Sequence, residues 1–169
     1  MPLRHLLTIE PLSAEAFKPY GNVIEASDAA QHFGINDGDA VRYHDLAKVD
    51  VGADGGRPII SLFRARPHVL PLQLARVERH PLGSQAFMPL GPHPYLVVVS
   101  LAGPPPEPAQ LRCFLAAPGQ GVNYARGTWH HPLLALEATC DFLVVDRGGP
   151  PLPGNCDEHA LESPVWVEA

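Results

Sequence analysis

Lysine is almost absent from this chain: the 169 residues hold only Lys18 and Lys48, and 12 basic side chains stand against 18 acidic ones for a formal net charge of −6. That balance leaves no basic stripe to neutralise phosphate backbones or anionic lipid, which excludes nucleic acid and membrane surfaces as partners. Long apolar runs are missing as well. Stretches such as Tyr95–Val99 end after five residues, far short of the ~20 that a membrane-spanning helix needs. The N-terminal MPLRHLLTIEPL has no signal-peptide apolar core, so the expectation is a soluble cytoplasmic protein. Cysteine is scarce: Cys113, Cys140 and Cys156 form no C-x-x-C pair, and an odd count argues against a disulfide framework. Small buried hydrophobes are the expected role for these thiols.

The length suits one domain spanning residues 1–169, and 46% apolar against 18% charged residues provides enough material for a core. Gly and Pro supply about a fifth of the chain, which interrupts helices repeatedly. One short helix is predicted over Ala14–Lys18, capped by Ser13 and ended by Pro19 and Gly21. From Pro58 onward, IISLFRAR, LQLARVERH, SQAFMPL, YLVVVSLA, LRCFLAA and DFLVVD recur between Pro/Gly punctuation. Short strands at that spacing, with no helical period between them, predict an all-β sandwich or barrel. Gly103–Pro108 cannot sit inside a sheet and reads as a surface connection, and 148–154 reads as an irregular excursion that covers something.

Nine histidines carry most of the candidate chemistry. Strand alternation points Glu78 and His80 to one face, and a hairpin through Pro81-Leu82-Gly83 would bring Gln85 beside them. Downstream, Gly127-Thr128-Trp129-His130-His131 adds a further pair, in which His131 and Trp129 face away from His130 and suit structural packing. Arg64 and Arg147 each follow an apolar strand, where a guanidinium pairs with a carboxylate or binds an anion. Alternation puts Arg147 on the face of Leu143 and Val145, expected to point into the barrel.

Glu78-x-His80-x4-Gln85 and Gly127-x-x-His130 resemble the two metal motifs of the cupin superfamily, with Glu78 standing where a His is usual and Gln85 where a Glu is usual. The resemblance becomes closer with the ureidoglycolate lyase family of that superfamily, and covers nearly the whole chain. It is carried by RYHDL (Arg42 to Leu46), ERHPLGSQAFMPL (Glu78 to Leu90), VVVSLA, GQGVNYARGTWHHPL (Gly119 to Leu133), DFLVVDRGGP (Asp141 to Pro150) and NCDE (Asn155 to Glu158). It implies a cupin-like antiparallel β-barrel (jelly roll) with one or two short helices, forming a homodimer. It further implies cleavage of ureidoglycolate to glyoxylate and urea in allantoin degradation, with a divalent metal, nickel, and no organic cofactor. Glu78, His80, Gln85 and His130 would hold the metal, His80 or His130 would move protons, and Arg64, Arg126 or Arg147 would grip the substrate carboxylate. The alternatives are a metal-dependent cupin oxygenase and a non-catalytic cupin that binds a small carboxylate.

Overall fold

The computed structural model describes residues 4–150 and 154–169. The strands of these residues are β1 (His5–Leu7), β2 (Ile9–Pro11), β3 (Gly21–Ile24), β4 (His32–Ile35), β5 (Ala40–Tyr43), β6 (Arg57–Ala65), β7 (Leu72–Arg79), β8 (Gln85–Pro89), β9 (Tyr95–Ser100), β10 (Arg112–Ala116), β11 (Gly121–Tyr124), β12 (Trp129–His130), β13 (Leu134–Ala135), β14 (Cys140–Gly148) and β15 (Asp157–Val167). The expected helix is α1 (Ala14–Phe17), and the Ser13 hydroxyl accepts from the Ala16 amide at 3.1 Å to cap it.

Two sheets face each other in the cupin-like barrel. One runs β1-β15-β7-β12-β9-β10-β2, with β13 also pairing with β9, and the other runs β3-β11-β8-β14-β6. Pairing is antiparallel except where β1 joins β15 and β2 joins β10, so the N-terminal segments extend the sheet in parallel. The short β4–β5 hairpin stands apart as a third, two-stranded sheet.

Side-chain alternation sorts the core. On β9, Tyr95, Val97 and Val99 enter one cluster with Phe17, Phe114 and Phe142, while Leu96 and Val98 enter a second with Leu74, Trp129 and Val165. A strand buried on both faces has no polar side, which is why this segment reads as an unbroken apolar run. Trp129 is buried in the second cluster, in the packing role expected of it. Gly103–Pro108 does connect β9 to β10 over a mostly exposed surface.

Two expectations are corrected here. Gln85 does not return beside β7 in a hairpin. The link after β7 is a corner between the sheets, and Gln85 opens β8 in the opposite one. On β14, Phe142 and Val144 are the core residues, whereas Leu143 and Val145 are only half-buried. Arg147 therefore shares the outer face, against the expected inward one. It is nonetheless buried, beneath the loops at 53–54 and 149–150. Part of the expected 148–154 excursion, residues 151–153, lies outside the described residues.

Candidate functional site

The site is assembled from both sheets. His130 on β12 pairs directly with Glu78 on β7, so adjacent strands present the two side chains side by side. His80 lies just past the end of β7, and its ring centre is 5.2 Å from that of His130. One ligating atom from each of Glu78, His80 and His130 lies within 4.8 Å of the others. Two ligands bonded at ~2.1 Å to one ion can stand up to about 4 Å apart, so only a small closure separates this triad from coordination. Gln85 reaches the same cavity from the facing sheet. Its amide nitrogen donates to Asp146 Oδ2 at 3.1 Å, which turns Oε1 to the other side.

Three of these atoms, His80 Nε2, His130 Nε2 and Gln85 Oε1, are buried with no hydrogen-bond partner. Buried polar atoms are almost always satisfied, so two orphaned imidazole nitrogens beside one carboxylate, with a third orphaned donor on a residue lining the same cavity, fit a cation. The imidazoles are also in the matching tautomer. His80 Nδ1 faces the Asn155 carbonyl at 2.8 Å and His130 Nδ1 faces the His131 carbonyl at 3.3 Å. A carbonyl only accepts, so each Nδ1 carries the proton and each Nε2 keeps a lone pair. Burial, reinforced by neighbouring His80, lowers the His130 pKa to about 3 and holds that ring neutral. The Tyr124 ring stacks on it at 4.1 Å between centres and 3° between planes, which fixes its orientation.

The cavity beside the triad holds about 460 Å³ and is walled by Phe63, Phe87, Tyr124 and Leu133. Those walls set an apolar surface around a few polar groups, the usual make-up of a small-molecule site. Tyr124 is fully buried, and desolvation first, then the Glu78 charge, raises its pKa well above the ordinary phenol value. It stays a neutral donor at any physiological pH.

The arginines are dispersed. Arg64 borders the cavity at the edge strand β6, where its guanidinium holds Asp141 in two bonds of 2.8 and 3.1 Å. Arg126 donates to the Pro81 carbonyl at 2.6 Å and lines a different surface pocket with Lys18 and Lys48. Arg147 lies outside the cavity and gives its donors to the carbonyls of Ala53, Asp54, Gly149 and Pro150. The structure thus brings together Glu78, His80, Gln85 and His130 and leaves Arg126 and Arg147 away from them. Tyr124, Asp146 and Asn155 are the neighbours that motif reading missed. Of these, only Tyr124 left a signal, since alternation from Val122 turns it inward.

Comparison with known proteins supplies the family. The profile of the family described as "Ureidoglycolate lyase" matches residues 4–168. A ureidoglycolate lyase of Burkholderia cepacia is 55% identical over 163 residues, covering 96% of this chain and 89% of its own. Those of Pseudomonas syringae pv. tomato (92% of this chain, 90% of theirs) and Azotobacter vinelandii (91% of each) are both 52% identical.

Proposed function

The chain belongs to the ureidoglycolate lyase family, and on that premise we propose that it cleaves ureidoglycolate to glyoxylate and urea in the cavity beside Glu78, His80 and His130. The observation that carries the location is the convergence of two orphaned imidazole nitrogens on the Glu78 carboxylate, with a third orphaned donor, Gln85 Oε1, on a residue that lines the same cavity. Glu78, His80, Gln85 and His130 are the residues to hold a divalent ion, and this mix of imidazole and oxygen donors suits a borderline metal such as nickel. When bound, such an ion lowers the pKa of the substrate hydroxyl and polarises its oxygens.

The substrate carbon carries a hydroxyl, a carboxylate and the ureido nitrogen. Breakdown requires the hydroxyl proton to leave as the carbonyl forms and a proton to reach the departing nitrogen. Should no ion be held, Nε2 of His80, with its lone pair free and Glu78 Oε1 4.0 Å away, is the acceptor for the hydroxyl proton; with an ion bound that lone pair is a ligand and the Glu78 carboxylate is the remaining base. His130, which burial keeps neutral, serves as a lone-pair donor and not as an acid. Phe63, Phe87 and Leu133 keep water from the developing carbonyl. Of the three arginines only Arg64 lines the cavity, which makes it the candidate to meet the substrate carboxylate.

The same reading includes a homodimer. Ile60 and Leu62 on the edge strand β6 are 73% and 63% exposed and supply an outward apolar face for it. No helix among the described residues is long and apolar enough to cross a membrane.

The test is a product balance. Purified protein given ureidoglycolate is expected to release glyoxylate and urea in equal amounts, with no ammonia and no oxygen uptake, and chelation is expected to lower the rate. Stoichiometric ammonia would mean hydrolysis of the ureido group, and oxygen consumption would indicate an oxygenase. An undiminished rate in rigorously metal-free protein would show that the side chains act alone.

A further inference from the structure

Asn155 lies outside the cavity, yet it touches the site from behind at two points. Its main-chain carbonyl accepts from His80 Nδ1 at 2.8 Å, and its side-chain Oδ1 accepts from the Leu82 amide at 2.7 Å. The ladder between β15 and β7 begins at Asp157 opposite Arg79, so Asn155 and Cys156 lie beyond its last paired residues. Backbone beyond a ladder frays unless side chains anchor it. Here the anchors are the Asn155 amide on Leu82 and the 2.9 Å ion pair between Asp157 and Arg79. The intervening Cys156 thiol points at Glu78 Oε2 at 3.7 Å. One three-residue segment thus backs both His80 and Glu78.

We propose that Asn155 is a positioning residue for the reaction: by gripping the Leu82 amide, its side chain holds its own carbonyl against His80 and keeps that imidazole in the Nδ1–H tautomer, with Nε2 unprotonated in the site. This rests on the reading of His80 as a site residue. A neutral imidazole has one N–H, and its position is decided by whichever nitrogen has the better acceptor. Nε2 is buried with no partner of its own, so the Asn155 carbonyl is the contact that decides it. Outer-shell acceptors of this kind, which orient a histidine and raise its basicity, typically matter about 10–100-fold in metal affinity or activity. The NCDE segment at 155–158 acquires a role that its distance in sequence from Glu78 and His80 conceals.

The experiment compares the parent protein with Asn155→Ala and Asn155→Asp, the latter keeping a side-chain oxygen to accept from Leu82. Nitrogen-15 spectra of histidine-labelled, metal-free protein at about pH 8.5, where an ordinary imidazole is neutral, report the His80 tautomer directly. The parent and Asn155→Asp are expected to show Nδ1–H alone, and Asn155→Ala a mixture of both tautomers. Titration with nickel ion is expected to show about 10–100-fold weaker binding for Asn155→Ala and near-parental binding for Asn155→Asp. The proposal is overturned if Asn155→Ala keeps the parental tautomer, or if Asn155→Asp behaves like Asn155→Ala. The tautomer is read without substrate or metal, so it decides the matter even if the protein proves inactive on ureidoglycolate or binds no ion.

Discussion

A His130→Gln variant is expected to lose about 10²–10³-fold in kcat/KM on ureidoglycolate, the scale typical of removing one preorganised electrostatic contact in a water-excluded site. His130 Nε2 is one of the three orphaned donors, and its ring is fixed by the stacked Tyr124 and by the hydrogen bond from Nδ1. Glutamine retains a polar end but supplies a weaker donor and no stacking ring. The loss should fall mainly on kcat if Nε2 acts in the transition state. A variant within about threefold of the parent would remove His130 from the machinery. The same substitution has a pH signature. The folded-state pKa of His130, about 3, lies below the unfolded value near 6.5, so acid protonates the unfolded chain first. The stability that follows from this difference is fully present above pH 6.5 and is lost as the pH falls toward 3. At pH 4.5 the loss from this residue is about 2–3 kcal/mol. Urea unfolding at pH 7 and pH 4.5 should therefore show a smaller acid-induced drop for His130→Gln than for the parent.

What could be read from the sequence depended on how unambiguously each strand declares its two faces. Around Glu78 and His80 a polar alternation interrupts an apolar context, and the two side chains do end beside His130. On β14 the segment Phe142–Val145 is apolar at every position, so a period of two could not say which pair faces inward. The core took Phe142 and Val144, and every assignment downstream moved with that choice. Asp146 follows Phe142 and Val144 and accepts from Gln85, and Arg147 turns outward. Gln85 was placed correctly in space for the wrong reason, since Pro81–Gly83 forms a corner between sheets and not a hairpin. The resemblance singled out the segment holding Asn155 but gave it no role, because its contacts to His80 and Leu82 span more than 70 positions and a carbonyl belongs to every residue type. Arg64 was legible only as a charge needing an anion. The structure supplies Asp141 as one such anion, across the ladder between β6 and β14.

Replacing Arg147 with methionine is expected to cost about 3–4 kcal/mol of stability and to lower Tm by roughly 6–16 °C, with little effect on the kinetics of the protein that remains folded. The guanidinium is buried and donates to the carbonyls of Ala53, Asp54, Gly149 and Pro150. It thereby ties two loops to the end of β14. Removing it leaves those acceptors unsatisfied, and hydrogen bonds to a charged group contribute about 1.5–3 kcal/mol each. The surroundings are built to its shape. A Cβ on Gly56 would come within 2.4 Å of Arg147 Nε and 2.0 Å of the Val51 carbonyl, and one on Gly83 within 2.9 Å of Arg147 Cβ. Lysine keeps the charge but presents a single ammonium where a planar fork spans several acceptors, so Arg147→Lys should recover less than half of the loss. A carboxylate clamp in the cavity would behave in the opposite way, with an unchanged Tm and a KM raised about 10- to 150-fold. Thermal unfolding and steady-state kinetics on the same preparations separate the two roles. A raised KM at parental Tm would return Arg147 to the substrate and show that the loops at 53–54 and 149–150 open to admit it.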